Sequence, residues 1–202
     1  MSGDARLRIP VSRQWMMVGF VLLSSLLVSF SGEAVYQLML YDRTGILSGE
    51  AWRLLSGHLV HTGAGHWALN AIAFAVLWWV FGAIWAGWRG ILLLVFLATA
   101  ISAGLLVFNP GLVWYAGLSG ILHGLLAAGA VLRVLAGQRA YLLLLGVLLI
   151  KLVHEQIFGP LPVSGSLPGV PVIIDAHLYG AIAGVVAACY LQRCMASDVK
   201  NR

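Results

Sequence analysis

Residues 117–136 read GLSGILHGLLAAGAVLRVLA. The run carries one formal charge, Arg133, near its end, and a serine and a histidine, Ser119 and His123, near its start. As a helix, 118–136 would be roughly 28 Å long, close to the ~30 Å hydrocarbon core of a bilayer. The chain around it has the same character. Of 202 residues, 61% are hydrophobic and 9% are charged, and the mean hydropathy is +0.94. Soluble domains carry about 25% charged residues, and this chain lacks the polar surface needed to cover a core in water. The same composition excludes disorder, collagen-like repeats and disulfide scaffolds. A net charge of +5 and a pI near 9.6 would suit nucleic acid. Most basic residues, however, stand singly between apolar runs, which is a topology signal and not a phosphate-binding stripe.

Outward from 118–136, further apolar runs cover about 14–30, 66–86, 90–108, 140–158 and 176–195. Gly87-Trp88-Arg89-Gly90, Asn109-Pro110-Gly111 and Ala136-Gly137-Gln138-Arg139 break them, as does the proline-rich stretch from Gly159 through Pro160, Pro162, Pro168 and Pro171. We therefore expect an all-α membrane protein, a six-transmembrane-helix bundle forming a single domain over 1–202. With the N-terminus in the cytoplasm, the inner side holds Arg6, Arg8, Arg13, Arg89, Arg133, Arg139, Arg193, Lys200 and Arg202. The outer side holds Arg43, Arg53 and Lys151. This bias places both termini in the cytoplasm. Arg6–Arg13 and Ser29-Phe30-Ser31 resemble a cleavable leader, but removing it would leave five spans and reverse the charge balance, so the first span is read as retained. Cys189 and Cys194 read as apolar packing residues on the reducing side, with no metal spacing.

Polar groups inside a membrane cost free energy, so each is a functional candidate. Four clusters stand out: Ser119 with His123, His66 with Asn70, His177 behind Asp175, and Lys151 with Glu155. Spans two, four and six all start on the outer side, which brings His66, Asn70, Ser119 and His177 to one end of the bundle. Counting back from Arg133 at the inner interface sets Ser119 about 10 Å below the outer one. Gly120 and Gly124 on span four and Gly180 and Gly184 on span six are small-xxx-small faces that let two backbones approach. Histidine is the general base best suited to activating a hydroxyl near neutral pH. His66 and Asn70, one turn apart, can donate to a developing oxyanion together with the Ser119 amide. Taken singly, each of these residues reads more readily as packing or interhelical glue. Their coincidence at one end of three co-oriented helices points to a site.

These motifs resemble those of the rhomboid family of intramembrane serine proteases over about 31–190. Gly117-Leu118-Ser119-Gly120 resembles the nucleophile motif. Ala176-His177-Leu178 with Gly180 and Gly184 resembles the base motif, His66 with Asn70 the oxyanion pair, and Trp52-Arg53 the first outer-loop marker, with His58 and His61 following. The resemblance implies a rhomboid-like bundle with a Ser119–His177 dyad in a water-filled cavity open to the outer side of a bacterial inner membrane. It implies a transmembrane protein as substrate, and no metal, organic cofactor or nucleic acid. His123 departs from the family pattern, which has tyrosine there. With Lys151 and Glu155 it resembles the rhombosortase subfamily, which implies clients with a C-terminal Gly-Gly, transmembrane and basic tail. His123, Lys151 and Glu155 are thus candidates for shaping the site or reading the substrate, with mutual neutralisation the alternative for the Lys–Glu pair. Asp175 is expected to cap span six, and Trp52-Arg53 to anchor the outer loop at the lipid interface. The competing functions are a non-catalytic relative that binds membrane clients and a small proton-linked transporter. The former would lack the serine or histidine, and no inverted repeat supports the latter.

Overall fold

The computed structural model describes residues 11–85, 87–161 and 170–200. The charges at Asp4, Arg6, Arg8 and Arg202 and the loop prolines Pro162 and Pro168 lie outside the described residues. The elements in chain order are α1 (Val11–Phe30), α2 (Glu33–Met39), β1 (Tyr41–Asp42), α3 (Arg43–Leu47), α4 (Arg53–Ser56), α5 (Ala64–Phe81) and α6 (Trp88–Phe108). They continue with β2 (Trp114–Tyr115), α7 (Ser119–Leu135), α8 (Tyr141–Phe158) and α9 (Ile174–Lys200). Helix dominates, and among the described residues four helices are long and apolar enough to cross a membrane: α5, α6, α8 and the Ile174–Cys194 part of α9. Trp15–Phe30 and α7 are apolar but shorter. Large apolar side chains face outward, among them Trp79, Leu143 and Phe158, each 76% exposed. Such a surface is stable in lipid and would aggregate in water. The chain is an integral membrane protein.

Helix α7 is the centre of the bundle and packs on α5, α6, α8 and α9. Its 17 residues amount to about 26 Å, shorter than the bilayer core. The helix can be short because the segment before it is extended: β2 pairs antiparallel with β1 in the register Tyr41 with Tyr115 and Asp42 with Trp114. That two-residue ladder fastens the α1–α5 connection to the entry of α7. The closest approach is between α7 and α9. A Cβ on Gly120 would lie 2.9 Å from the Ala176 carbonyl oxygen, and one on Gly124 2.9 Å from that of Gly180. In the other direction, Cβ atoms on Gly180 and Gly184 would overlap the carbonyls of Gly120 and Gly124.

Three expectations are corrected. The second span ends at Phe81 and not at 86. Gly82 caps the helix through its N–H to the Trp78 carbonyl (2.7 Å), and Trp85 folds back into the core against Trp78 and Phe81. Apolarity there marks a buried turn. Arg53 does not sit at a lipid interface. It is buried, donating to the carbonyls of Gln37 and Leu40 (both 2.7 Å) and pairing with Glu50. It ties the α1–α5 connection together, while exposed Trp52 donates to the Leu38 carbonyl. Asp175 is not a cap but the second residue of α9, accepting from the Asn109 amide at 2.6 Å.

The same connection holds two buried histidines. His58 Nε2 lies 3.0 Å from the Ala98 carbonyl and 3.1 Å from Ser102 Oγ, whose hydroxyl donates to the Leu54 carbonyl. Burial pushes His58 down to about 4, and its bond to Ala98 opposes this only in part. The unfolded chain takes up a proton near pH 6.5 and the folded one does not until about pH 4. Stability is therefore full above pH 6.5, falls as pH drops from 6.5 to 4, and levels off below. The loss approaches about 3 kcal/mol. Thermal midpoints in detergent at pH 7.5 and 4.5 check this: His58→Asn, which cannot titrate, is expected to lose less on acidification than the natural chain. An equal loss in both would contradict it.

Candidate active site

Ser119 begins α7 directly after a strained turn. Gly117 has φ +132°, a region that L side chains rarely adopt, and it is held from both sides. Its N–H donates to the Gly57 carbonyl (3.2 Å), and its own carbonyl accepts from the buried Tyr115 hydroxyl (2.6 Å). A Cβ at Gly117 would lie 2.9 Å from the His66 ring. The turn therefore brings the imidazole of α5 close to the start of α7.

The glycine seam between α7 and α9 brings Ser119 Oγ to 2.9 Å from His177 Nε2. His177 Nδ1 lies 2.9 Å from Glu155 Oε2, and the second carboxylate oxygen, Oε1, accepts from Lys151 Nζ at 2.6 Å. Glu155 and His177 are both buried, and Lys151 is partly exposed. The His123 ring stacks on that of His177 with centroids 4.2 Å apart and planes 15° apart. Its Nδ1 lies 2.7 Å from the Ser119 carbonyl. A carbonyl only accepts, so His123 donates there from Nδ1. By the same logic Glu155 fixes a proton on His177 Nδ1, so that in the neutral ring Nε2 is the nitrogen left to accept from the Ser119 hydroxyl.

The seven residues proposed from the sequence for the site, His66, Asn70, Ser119, His123, Lys151, Glu155 and His177, line one cavity of about 490 Å³. Its polar groups are at the end where α7 and α9 begin. Leu69, Leu77, Leu122 and Leu126 extend an apolar wall down α5 and α7. His66 Nδ1 is 3.1 Å from Thr62 Oγ1, and Asn70 spends one amide hydrogen on the His66 carbonyl at 3.0 Å. Two residues of the site were not singled out from the sequence. Thr62 holds the His66 ring from just ahead of α5, a contact outside the helix that its spacing did not flag. Tyr115 holds the Gly117 carbonyl, and nothing in the local sequence separates it from any other aromatic. Asp175, His58 and His61 do not line this cavity.

The donor atoms of His123, Glu155 and His177 lie within 4.8 Å of one another, near enough to suggest a metal. The chemistry does not suit one. Stacked imidazoles direct their lone pairs into two nearly parallel planes, whereas a metal about 2 Å from each nitrogen needs the planes to converge. Both oxygens of Glu155 are engaged, one by an ammonium that repels a cation. The array suits proton movement: a hydroxyl, a base, and an anion behind the base.

No curated protein matches the chain. The model of the Rhomboid domain matches residues 48–194, which include every residue of this cluster. The match covers most of the sequence, and the chain belongs to the rhomboid family.

Proposed function

We propose that the chain is a serine endopeptidase that cleaves single-span membrane proteins within the bilayer, with Ser119 as nucleophile and His177 as base. The observation that carries this reading is the 2.9 Å approach of Ser119 Oγ to His177 Nε2 in a cavity continuous with an apolar wall. As Oγ bonds to the scissile carbonyl carbon, its proton passes to His177 Nε2. The carbonyl oxygen becomes an oxyanion, stabilised by His66, Asn70 and the Ser119 N–H at the start of α7. The C–N bond then breaks, and the amine leaves with the proton from Nε2. A water, deprotonated by the same nitrogen, releases the acyl group and restores the serine. The proposed frame is a single domain of six spans with both termini cytoplasmic and the cavity opening outward, in the inner membrane of a bacterium. A client-binding relative without chemistry would need neither the hydroxyl nor the base. Labelling by a fluorophosphonate probe, lost in Ser119→Ala, tests the reading; a folded natural chain that takes no label would overturn it.

The geometry also constrains the substrate. A regular helix buries its carbonyls in hydrogen bonds, so the cut bond must lie where the helix unwinds readily. Glycine lowers that cost by about 1 kcal/mol per residue relative to alanine. We expect Gly or Ala at the cleavage site, at or just outside the outer end of the client's span. A client with Gly-Gly before its span and Lys or Arg after it fits this depth and the rhombosortase resemblance, with the basic tail held in the cytoplasm. Replacing such a Gly-Gly by Leu-Leu should slow cleavage roughly 30-fold, from about 2 kcal/mol of added unwinding cost. Moving the pair to the inner end should stop cleavage. Product mass spectrometry on the client series checks both, and indifference to both changes would contradict this account of recognition.

A further inference from the structure

We propose that Glu155 is the positioning residue of His177, so that the base belongs to a Ser119–His177–Glu155 array with Lys151 as counter-ion and not to a bare Ser–His dyad. This rests on the reading of Ser119 and His177 given above. A carboxylate serving only to neutralise Lys151 could do so along the face of α8, where the two residues are one turn apart. Glu155 does more: Oε1 takes the ammonium and Oε2 reaches α9, accepting from His177 Nδ1 at 2.9 Å. The carboxylate is 3% exposed, so its second oxygen has no solvent to satisfy it and the bond to His177 is its remaining partner. The imidazole is thereby held at three points: Glu155 at Nδ1, Ser119 at Nε2, and His123 against its face.

That arrangement fixes two properties of the base. It fixes the tautomer, because a carboxylate can only accept and Nδ1 must carry the proton, which leaves the Nε2 lone pair for Ser119. It also fixes the charge balance when Nε2 takes the serine proton. The imidazolium then lies beside an anion that stabilises it and a more distant ammonium that opposes it. The titratable and charged groups around His177 are Glu155 and Lys151 from α8, His123 from α7, His66 from α5, Tyr115 from β2 and Asp175 on its own helix. Among the described residues, only Glu155 is an anion in contact with the ring. Lys151 completes the design by holding the carboxylate's other oxygen, so that Glu155 cannot rotate away.

The test is the rate of labelling by a fluorophosphonate, which needs no identified client. Oγ–P forms, P–F breaks, fluoride leaves, and the serine proton passes to His177 Nε2. With the full chain in detergent, Glu155→Gln is expected to slow the limiting labelling rate about 10³-fold while the final labelled fraction stays complete, since an amide no longer enforces the tautomer. The probe concentration at half-maximal rate should change little. Glu155→Asp, which keeps the charge, should recover at least tenfold of the loss. The acid limb of the rate should move to lower pH in Glu155→Gln and by roughly 1 pH unit to higher pH in Lys151→Met. A structural role would instead reduce the fraction labelled and leave the limb in place. Labelling of Glu155→Gln within threefold of the natural rate, with an unmoved limb, would overturn the proposal while leaving the Ser–His reading intact. If Glu155→Gln does not fold, Lys151→Met decides, and an acid limb unmoved there overturns the proposal. Ser119→Ala run alongside separates the two failures: retained labelling there overturns the underlying reading.

Discussion

Ser119→Ala and His177→Ala should each reduce cleavage of a reconstituted single-span client by about 10⁴-fold or more while leaving the protein folded. Removing the hydroxyl deletes the atom that, in the proposed role, bonds to the scissile carbon. Removing the imidazole leaves a neutral alcohol without the ring that, in the proposed role, takes its proton. His66 and Asn70 are expected to matter less, since each is proposed as one of several donors to the oxyanion and a lost donor costs about 10²–10³-fold. The check is initial rate by product mass, with elution volume in detergent reporting the fold. Turnover within tenfold of the natural chain in either variant would contradict the proposed roles.

The second large effect is on assembly. Gly184→Leu, or Gly180→Val, should abolish labelling at Ser119 although neither residue touches the reacting atoms. A Cβ at either position overlaps a carbonyl of the facing helix, and backbone cannot move aside as the end of a flexible side chain can. Helices α7 and α9 must then separate, and the 2.9 Å contact between Ser119 and His177 goes with them. The stability cost should reach or exceed the top of the ~1–3 kcal/mol overpacking range. Gly146 in α8 is the control, because a Cβ there meets nothing within 4 Å. Gly146→Ala should leave labelling unchanged and stabilise the helix by up to ~1 kcal/mol. Thermal midpoints and labelled fraction check both, and a Gly184→Leu variant that melts and labels like the natural chain would contradict the packing account.

How much of this was legible in the sequence follows from which interactions are local. The apolar runs gave the helices almost to the residue at Phe30, Phe108 and Phe158, because hydropathy and helix-ending Gly, Asn and Pro residues lie side by side in the chain. Hydropathy failed at Phe81–Trp85, where an apolar turn is buried by the core and is as greasy as any span. Seven of the polar residues lining the cavity were found as groups that a membrane would otherwise exclude. Their roles were less legible. Lys151 and Glu155 could be paired by spacing, but the reach of Glu155 to a histidine 22 positions away depends on how α8 sits against α9, which no local pattern encodes. Arg53 was misplaced for the same reason: its carbonyl partners, Gln37 and Leu40, are presented by the folded connection and not by its neighbours. Thr62 touches the His66 ring and Tyr115 holds the Gly117 carbonyl, contacts made by the fold, and so neither carries a signature of its own.

The most direct test of the central claim is tandem mass spectrometry of the full chain in proteoliposomes after reaction with a fluorophosphonate. The expected result is one phosphonyl adduct, on Ser119, formed in the natural chain and absent from His177→Ala. An adduct on any other residue, or an unmodified Ser119 in a folded chain, would contradict it.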